Sequence, residues 1–199
     1  MSIELTEAEK IKILNADDLY GIMQKILLRE DKIDQDREHF WVVGLATNNR
    51  ILFIELVSKG SINRVTVEPM EVFSLALQKR AVSIILVHNH PSGDLKPSWE
   101  DKDNTDRLIQ VGIIVNTFVV DHLIITTKSF LSFAYSGLLD ELAKSTKYVP
   151  KYKQIENLQK EAEKNKAIEM AKNCLKKNMD IELIMQLTGL TYLEIKALA

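Results

Sequence analysis

Two histidines one residue apart, His88 and His90, open a run that continues through Pro91, Ser92 and Gly93 to Ser98 and Asp101. Imidazole nitrogens and a carboxylate are ligands a catalytic zinc takes from a protein, three in number, with the fourth position kept for water. His88, His90 and Asp101 are three such groups, and the water would be the reagent. An arbitrary pair of histidines beside a Pro-Ser-Gly turn is more often a solvent-facing loop. Here the pair, two of only four histidines in the chain, follows a strongly apolar run and precedes a helix start that returns a carboxylate towards it.

The elements around the run are those needed to position it. Val82 to Val87 is an almost uninterrupted apolar, β-branched stretch, as expected for a strand buried on both faces. If strand geometry persists beyond Val87, His88 and His90 point to the same side. Pro91, Gly93 and Pro97 interrupt regular structure. Ser98 then makes a good N-cap with Asp101 three residues on, for a helix expected to run to about Val111.

Upstream, Asn15 caps a helix expected to end near Arg29, with Leu19, Ile22, Met23, Ile26 and Leu27 at helical spacing. Residues 10–14 alternate like a strand, although Thr6 and Glu9 have the form of a capping box. Residues 31–37 are almost all charged and read as a solvated connection. Phe40–Ala46 and Ile51–Val57 flank Thr47-Asn48-Asn49-Arg50 as a hairpin, and Asn63–Val67 reads as a third strand. Pro69 opens a helix carrying Val72, Phe73, Ala76 and Leu77. Ile113–Val120 and Leu123–Thr127 read as two strands separated by Asp121 and His122. Strands and helices mix without one repeated βαβ unit, so the fold class expected is α/β (α+β), a mixed twisted sheet flanked by helices.

The chain has 26 basic and 28 acidic residues, a net charge of −2 and 46% hydrophobic content. No global positive field announces nucleic acid, so any such contact would be local. No apolar run approaches the roughly 20 residues that span a bilayer, and no leader pattern stands at the start, so a cytoplasmic protein without a membrane partner is expected. The single cysteine, Cys174, makes no internal disulfide and reads as a half-buried helix residue. A cytidine-deaminase ligand set needs a Pro-Cys-x-x-Cys pair, which one cysteine excludes.

Composition changes after Pro150, where Lys, Glu, Gln and Asn accompany Ile155, Leu158, Ala162, Ile168 and Ala171 near helical spacing. The end reads as helix, Gly189 turn, and a second helix opened by the capping box of Thr191 and Glu194. This is either the start of a helix-turn-helix or a helical hairpin that docks on the domain or a partner. Phosphate contacts need several Lys or Arg side chains. The last helix offers Lys196 against Glu194, and the lysines between Lys144 and Lys177 are offset by Glu156, Glu161, Glu163 and Glu169.

The order His-x-His-Pro, then Ser-x-x-Asp with seven residues between His90 and Ser98, resembles the JAB/MPN (JAMM) metalloprotease motif. The spelling His88-Asn89-His90-Pro91-Ser92-Gly93 resembles its bacterial RadC branch. The likeness extends to the order of strands and helices over residues 15–140, to Asp121-His122-Leu123-Ile124, Ser129-Phe130 and Gly137-Leu138-Leu139. It implies a JAB/MPN, cytidine-deaminase-like architecture over residues 1–145, with residues 146–199 as a helical tail. It implies zinc held by His88, His90 and Asp101, with Ser98 bonding the developing oxyanion.

An upstream glutamate serves that family as general base, and Glu38, just ahead of Phe40-Trp41-Val42-Val43, matches best. On sequence alone Glu30, Glu55, Glu68 and Glu71 remain rivals. His122 reads either as a buried histidine anchoring a turn or as a group orienting a ligand, and His39 as a surface residue on the opposite side of its strand. The function implied is hydrolysis of a peptide or isopeptide bond by a glutamate-activated, zinc-bound water, with a peptide or protein as substrate. The alternative is a noncatalytic JAB-fold module associated with DNA repair or nucleic-acid binding. Two departures weigh against that alternative. Met70 stands where the family has an arginine, in Pro69-Met70-Glu71, and no helix-hairpin-helix region is expected ahead of Asn15.

Overall fold

The computed structural model describes residues 2–3, 12–60 and 67–198. Its centre is a mixed, twisted sheet of β1 (Ser2–Ile3), β2 (His39–Leu45), β3 (Ile51–Lys59), β4 (Ser83–Asn89), β5 (Phe118–Ile125) and β6 (Phe130–Ser132), in spatial order β1-β3-β2-β4-β5-β6. Every neighbouring pair is antiparallel except β4 and β5, which are parallel and joined through the helix α4 (Trp99–Val115). The other helices of this part are α1 (Ala16–Arg29), α2 (Lys32–Gln35), α3 (Pro69–Gln78) and α5 (Leu138–Ala143).

Strand parity divides the core in two. Trp41, Val43, Ile85, Val87, Leu123 and Ile125 pack with Leu19, Met23 and Leu27 of α1. Their strand neighbours Phe40, Val42, Ile84 and Leu86 pack with Val72, Phe73 and Ala76 of α3 and Leu108 of α4. Side chains alternate across a strand, so β2 and β4, buried along their whole length, require apolar residues at nearly every position. The same parity places His88 on the α4 face of the sheet and Asn89 on the other.

Several expectations from sequence hold. Asn15 caps α1 by accepting from the Asp18 amide at 2.9 Å. The hairpin joins β2 to β3, Pro69 begins α3, and strand geometry runs through His88 to Asn89. Residues 31–37 carry the short α2, capped by Asp31. The strand expected over residues 63–67 lies, apart from Val67, outside the described residues, as do Thr6, Glu9 and residues 10 and 11, while Lys12 forms one bridge to Arg50.

Residues 113–127 depart from expectation. Ile113, Ile114 and Val115 extend α4 by a further turn, leaving Ile113 and Ile114 about half exposed, and Asn116 ends it in the left-handed conformation at φ 55°. Asp121 and His122 do not separate two strands but lie within the single strand β5. Buried polar groups are tolerated there because each is bonded. The Asp121 carboxylate accepts from the His122 and Ala134 amides at 2.7 and 2.9 Å and from the Ser132 hydroxyl at 2.7 Å. The register also slips at this point: Ile84 pairs with Val119 and Ile85 with Asp121, so Val120 is an extra residue in β5.

The chain divides into two compact units, Met1–Tyr148 and Val149–Ala199. Residues 146–148, which the resemblance assigns to the tail, belong to the first. Ser145 donates to Asp106 of α4 at 2.6 Å, Tyr148 donates to Asp103 at 2.9 Å, and Lys147 pairs with Asp103. The second unit holds α6 (Lys151–Lys176), α7 (Ile181–Thr188) and α8 (Tyr192–Lys196) around Ala171, Ile184, Leu190 and Ile195. Gly189 at φ 70° ends α7, and Thr191 with Glu194 forms the capping box that begins α8. Among the described residues no helix is long and apolar enough to cross a membrane.

Gly44 pairs directly with Phe53 across β2 and β3, and a Cβ at Gly44 would lie 2.0 Å from a Phe53 ring carbon. Glycine at this position lets the ring lie over the neighbouring backbone. Gly44→Ala is expected to destabilise the fold by about 1–3 kcal/mol in urea unfolding, and by less in a Phe53→Leu background.

Candidate metal centre

The even-numbered parity that buries Ile84 and Leu86 against the helices places His88 opposite the start of α4. There Ser98 is the N-cap, accepting from the Asp101 amide at 3.0 Å, while the Asp101 carboxylate accepts from the Ser98 amide at 2.7 Å. This reciprocal pair leaves Asp101 aimed at the histidines. Asp101 Oδ1 lies 3.2 Å from His88 Nε2 and Oδ2 lies 3.5 Å from His90 Nε2, while the two Nε2 atoms are 3.0 Å apart. A tetrahedral dication with bonds of about 2.0–2.1 Å needs ligand atoms roughly 3.3 Å apart. The observed triangle brackets that spacing, and these three residues could hold a metal ion.

The nitrogen facing the triangle is the correct one on His90. Its Nδ1 lies 2.6 Å from the Asp94 carbonyl, which can only accept, so Nδ1 carries the hydrogen and Nε2 offers its lone pair inward. The turn that brings Asp94 there is built from Gly93 at φ 81°, whose amide bonds the His90 carbonyl at 3.1 Å, and from Asp94 Oδ1 accepting the Lys96 amide at 2.9 Å.

Electrostatics favour the same occupant. Burial pushes the His88 pKa down, against the opposing pull of Asp101. Burial also acts to lower His90, but Asp101, the Asp94 carbonyl and Glu38 outweigh it and the net shift is upward. Asp101 is opposed by burial yet held far below the usual carboxylate range by His88, His90 and Ser98. A proton on His90 and a dication therefore compete for one place.

Glu38, Ser98 and the triad line one cavity of about 240 Å³, with His122 among its walls. Glu38 is half-buried and immediately precedes β2. Asn89 brackets it: its side-chain amide donates to the Arg37 carbonyl at 2.9 Å, and its Oδ1 accepts from the His39 amide at 2.7 Å. The glutamate's own carbonyl accepts from Gly60 at 2.8 Å. Of the sequence rivals, Glu30 faces Lys59 at 3.9 Å, Glu68 faces Arg107 at 3.4 Å, and Glu55 pairs with Val42 in mid-sheet. None of these, nor Glu71, lines the cavity.

His39 is not a surface residue. It is fully buried, its ring stacked on Trp41 with centroids 5.1 Å apart, and its Nδ1 lies 3.0 Å from the Arg37 carbonyl. The opposite side of β2 is covered by α1, so leaving the cavity face does not bring a side chain to solvent. His122 is likewise buried, its Nε2 2.8 Å from His88 Nδ1 and its Nδ1 2.6 Å from Thr105 Oγ1. It therefore touches a triad histidine, and burial, with the neighbouring His88 ring acting in the same direction, drives its pKa well down. Asn89 and Thr105 escaped the sequence reading. Their signals were a polar residue of opposite parity inside a buried strand, and a threonine one helical turn beyond Asp101.

Three residues that could hold a metal ion lie where a parallel-paired strand meets a capped helix, with Glu38 just ahead of the adjoining antiparallel strand, an arrangement that fits the JAB resemblance of the sequence. Residues 13–138 match the RadC-like JAB domain family, and the chain belongs to that family. Residues 164–199 are similar to the C-terminal helix-turn-helix domain of the Rpn/YhgA-like nuclease family. Similar curated proteins include a UPF0758 protein of Desulforudis audaxviator, 46% identical over 112 residues, which is 56% of this chain and 49% of that protein. A UPF0758 protein of Caldanaerobacter subterraneus is 42% identical over 135 residues, 68% of this chain and 56% of its own. Another, of Finegoldia magna, is 52% identical over 97 residues, 49% and 44% of the two chains. The chain thus spans about half the length of the curated relatives it matches.

Burial, with the Asp101 carboxylate adding to it and His90 opposing, raises the Glu38 pKa. A carboxyl whose folded pKa lies above its unfolded value favours the fold fully below the unfolded pKa, and that contribution is lost as pH rises through the folded one. Glu38→Gln is therefore expected to raise the melting temperature of metal-free protein at pH 7 and to leave it unchanged at pH 3. Equal melting temperatures at both pH values would contradict a strained carboxylate at this position.

Proposed function

We propose that this chain is a zinc-dependent metallohydrolase that cleaves a peptide or isopeptide bond. The observation that carries the reading is the cavity itself. Three ligand atoms at 3.0–3.5 Å spacing share it with one half-buried carboxylate and one helix-capping hydroxyl. Zinc, when bound by His88, His90 and Asp101, would polarise the scissile carbonyl and acidify a water.

Each remaining step falls to a residue of the chain. Glu38, with its raised affinity for a proton, takes one from the attacking water and passes it to the departing amine. Ser98 Oγ accepts from the Asp101 amide, which leaves its own hydrogen to donate to the oxyanion. Asn89 holds Glu38 in place through the peptide groups on either side of it. Phe40, whose ring centroid lies 6.2 Å from that of His88 and 5.8 Å from that of His122, gives the cavity an apolar wall that restricts bulk water.

The likeness of residues 164–199 to a helix-turn-helix domain supports a second reading, a nucleic-acid-associated module in which the JAB fold serves as a platform. The two readings differ in measurable ways. For the hydrolase, purified protein binds one zinc and turns over members of a peptide and isopeptide panel. Glu38→Gln then lowers kcat by about 10²–10⁴-fold with zinc retained, and Ser98→Ala lowers it by about 10²–10³-fold. Absence of zinc binding at neutral pH, or undiminished turnover by Glu38→Gln, would sink the hydrolase reading. Salt-sensitive DNA binding that disappears on removing residues 149–199 supports the platform instead.

A further inference from the structure

We propose that Thr105 and His122 form a positioning relay that decides which nitrogen of His88 carries its hydrogen, holding the Nε2 lone pair ready for a divalent cation. The proposal rests on the metal-binding reading of the triad, though not on any hydrolytic activity.

The assignment follows from counting hydrogens. Thr105 Oγ1 lies 2.6 Å from the main-chain carbonyl of Asp101, which can only accept, so the single hydroxyl hydrogen is committed there. The same oxygen is 2.6 Å from His122 Nδ1 and must accept, which puts a hydrogen on that nitrogen. A neutral imidazole has one N–H, so His122 Nε2 is an acceptor. Its neighbour at 2.8 Å, His88 Nδ1, must then be the donor. His88 Nε2 is left as a bare lone pair, 3.2 Å from Asp101 Oδ1 and 3.0 Å from His90 Nε2.

The relay starts and ends on one residue. It leaves from the Asp101 carbonyl, passes through Thr105 on α4, His122 on β5 and His88 on β4, and returns to the Asp101 carboxylate at the metal position. His122 is 1% exposed and Thr105 is fully buried, so water does not readily substitute for a missing partner. Without the threonine oxygen, the His122 Nδ1 hydrogen has no acceptor. The favoured tautomer becomes Nε2–H, which donates to His88 Nδ1 and moves the His88 hydrogen onto Nε2, the atom that must bind the metal.

Long-range proton–nitrogen NMR correlations on the ¹⁵N-labelled full chain, metal-free, read these tautomers directly. Wild type is expected to show Nδ1–H on both His88 and His122. Thr105→Val, which preserves shape, is expected to move both hydrogens to Nε2. It should weaken zinc binding by about 10- to 100-fold in competition with a chelator, and Thr105→Ser should restore both tautomer and affinity. Nε2–H on His88 in the folded wild-type protein overturns the relay, a result that needs no variant to fold. So does a folded Thr105→Val with unchanged tautomers and zinc affinity. If wild type binds no zinc, the metal reading of the triad fails, while the tautomers still decide whether the relay exists.

Discussion

Two imidazole nitrogens and a carboxylate that converge within 3.0–3.5 Å need a positive charge, a proton or a cation, among them. Much of the first unit serves to keep this set together. The His88 strand is buried on both faces and bonded on both edges, antiparallel to β2 and parallel to β5, so His88 cannot move away from its neighbours. His90, just past the strand, is held by its amide to the Ile125 carbonyl at 3.0 Å and by its ring to Asp94. Asp101 is held by its place in a capping box, so the bonds that start α4 also aim its carboxylate at the two histidines. Negative charge at a helix N-terminus is favourable in its own right, which offsets part of the cost of holding the carboxylate against two histidines.

The same economy appears on β2. Phe40 contributes to the core and walls the cavity, and His39 and Trp41 stack on the other face, so the strand that brings Glu38 to the site is fixed from both sides. Asn89 ties that strand end to the His-x-His segment with two bonds. The middle residue of that segment, of opposite parity to the two histidines, thereby couples the position of the carboxylate to that of His88 and His90. A raised Glu38 pKa is the expected result of holding a carboxyl where packing, not solvation, decides its place.

Legibility from sequence followed the range of the forces involved. Periodicity and capping are local, so α1, α3, the hairpin and the start of α4 could be read from single segments, and His88, His90 and Asp101 from their spacing. Burial of a polar residue is not local. Asp121 and His122 look like a break between strands because their partners, Ser132, Ala134, Thr105 and His88, lie 11 to 34 residues away. His39 was misplaced for a related reason: alternation tells which face a residue takes, but only the docking of α1 shows that this face is covered. The extension of α4 to Val115 is a conflict between β-branched composition and the continuing helix, and the helix prevails up to Asn116.

A buried histidine with no charged partner in hydrogen-bond reach is costly to desolvate, and His122 persists because both of its nitrogens are bonded. That requirement has a direction. Its Nδ1 contact is a hydroxyl whose hydrogen is already committed, so the ring has one satisfactory tautomer and passes that choice to His88. The core of the domain and the candidate metal triad are thus linked by ordinary satisfaction of buried polar groups. A change that only repacks the α4–β5 contact around Thr105 therefore reaches the triad without touching any of its three members.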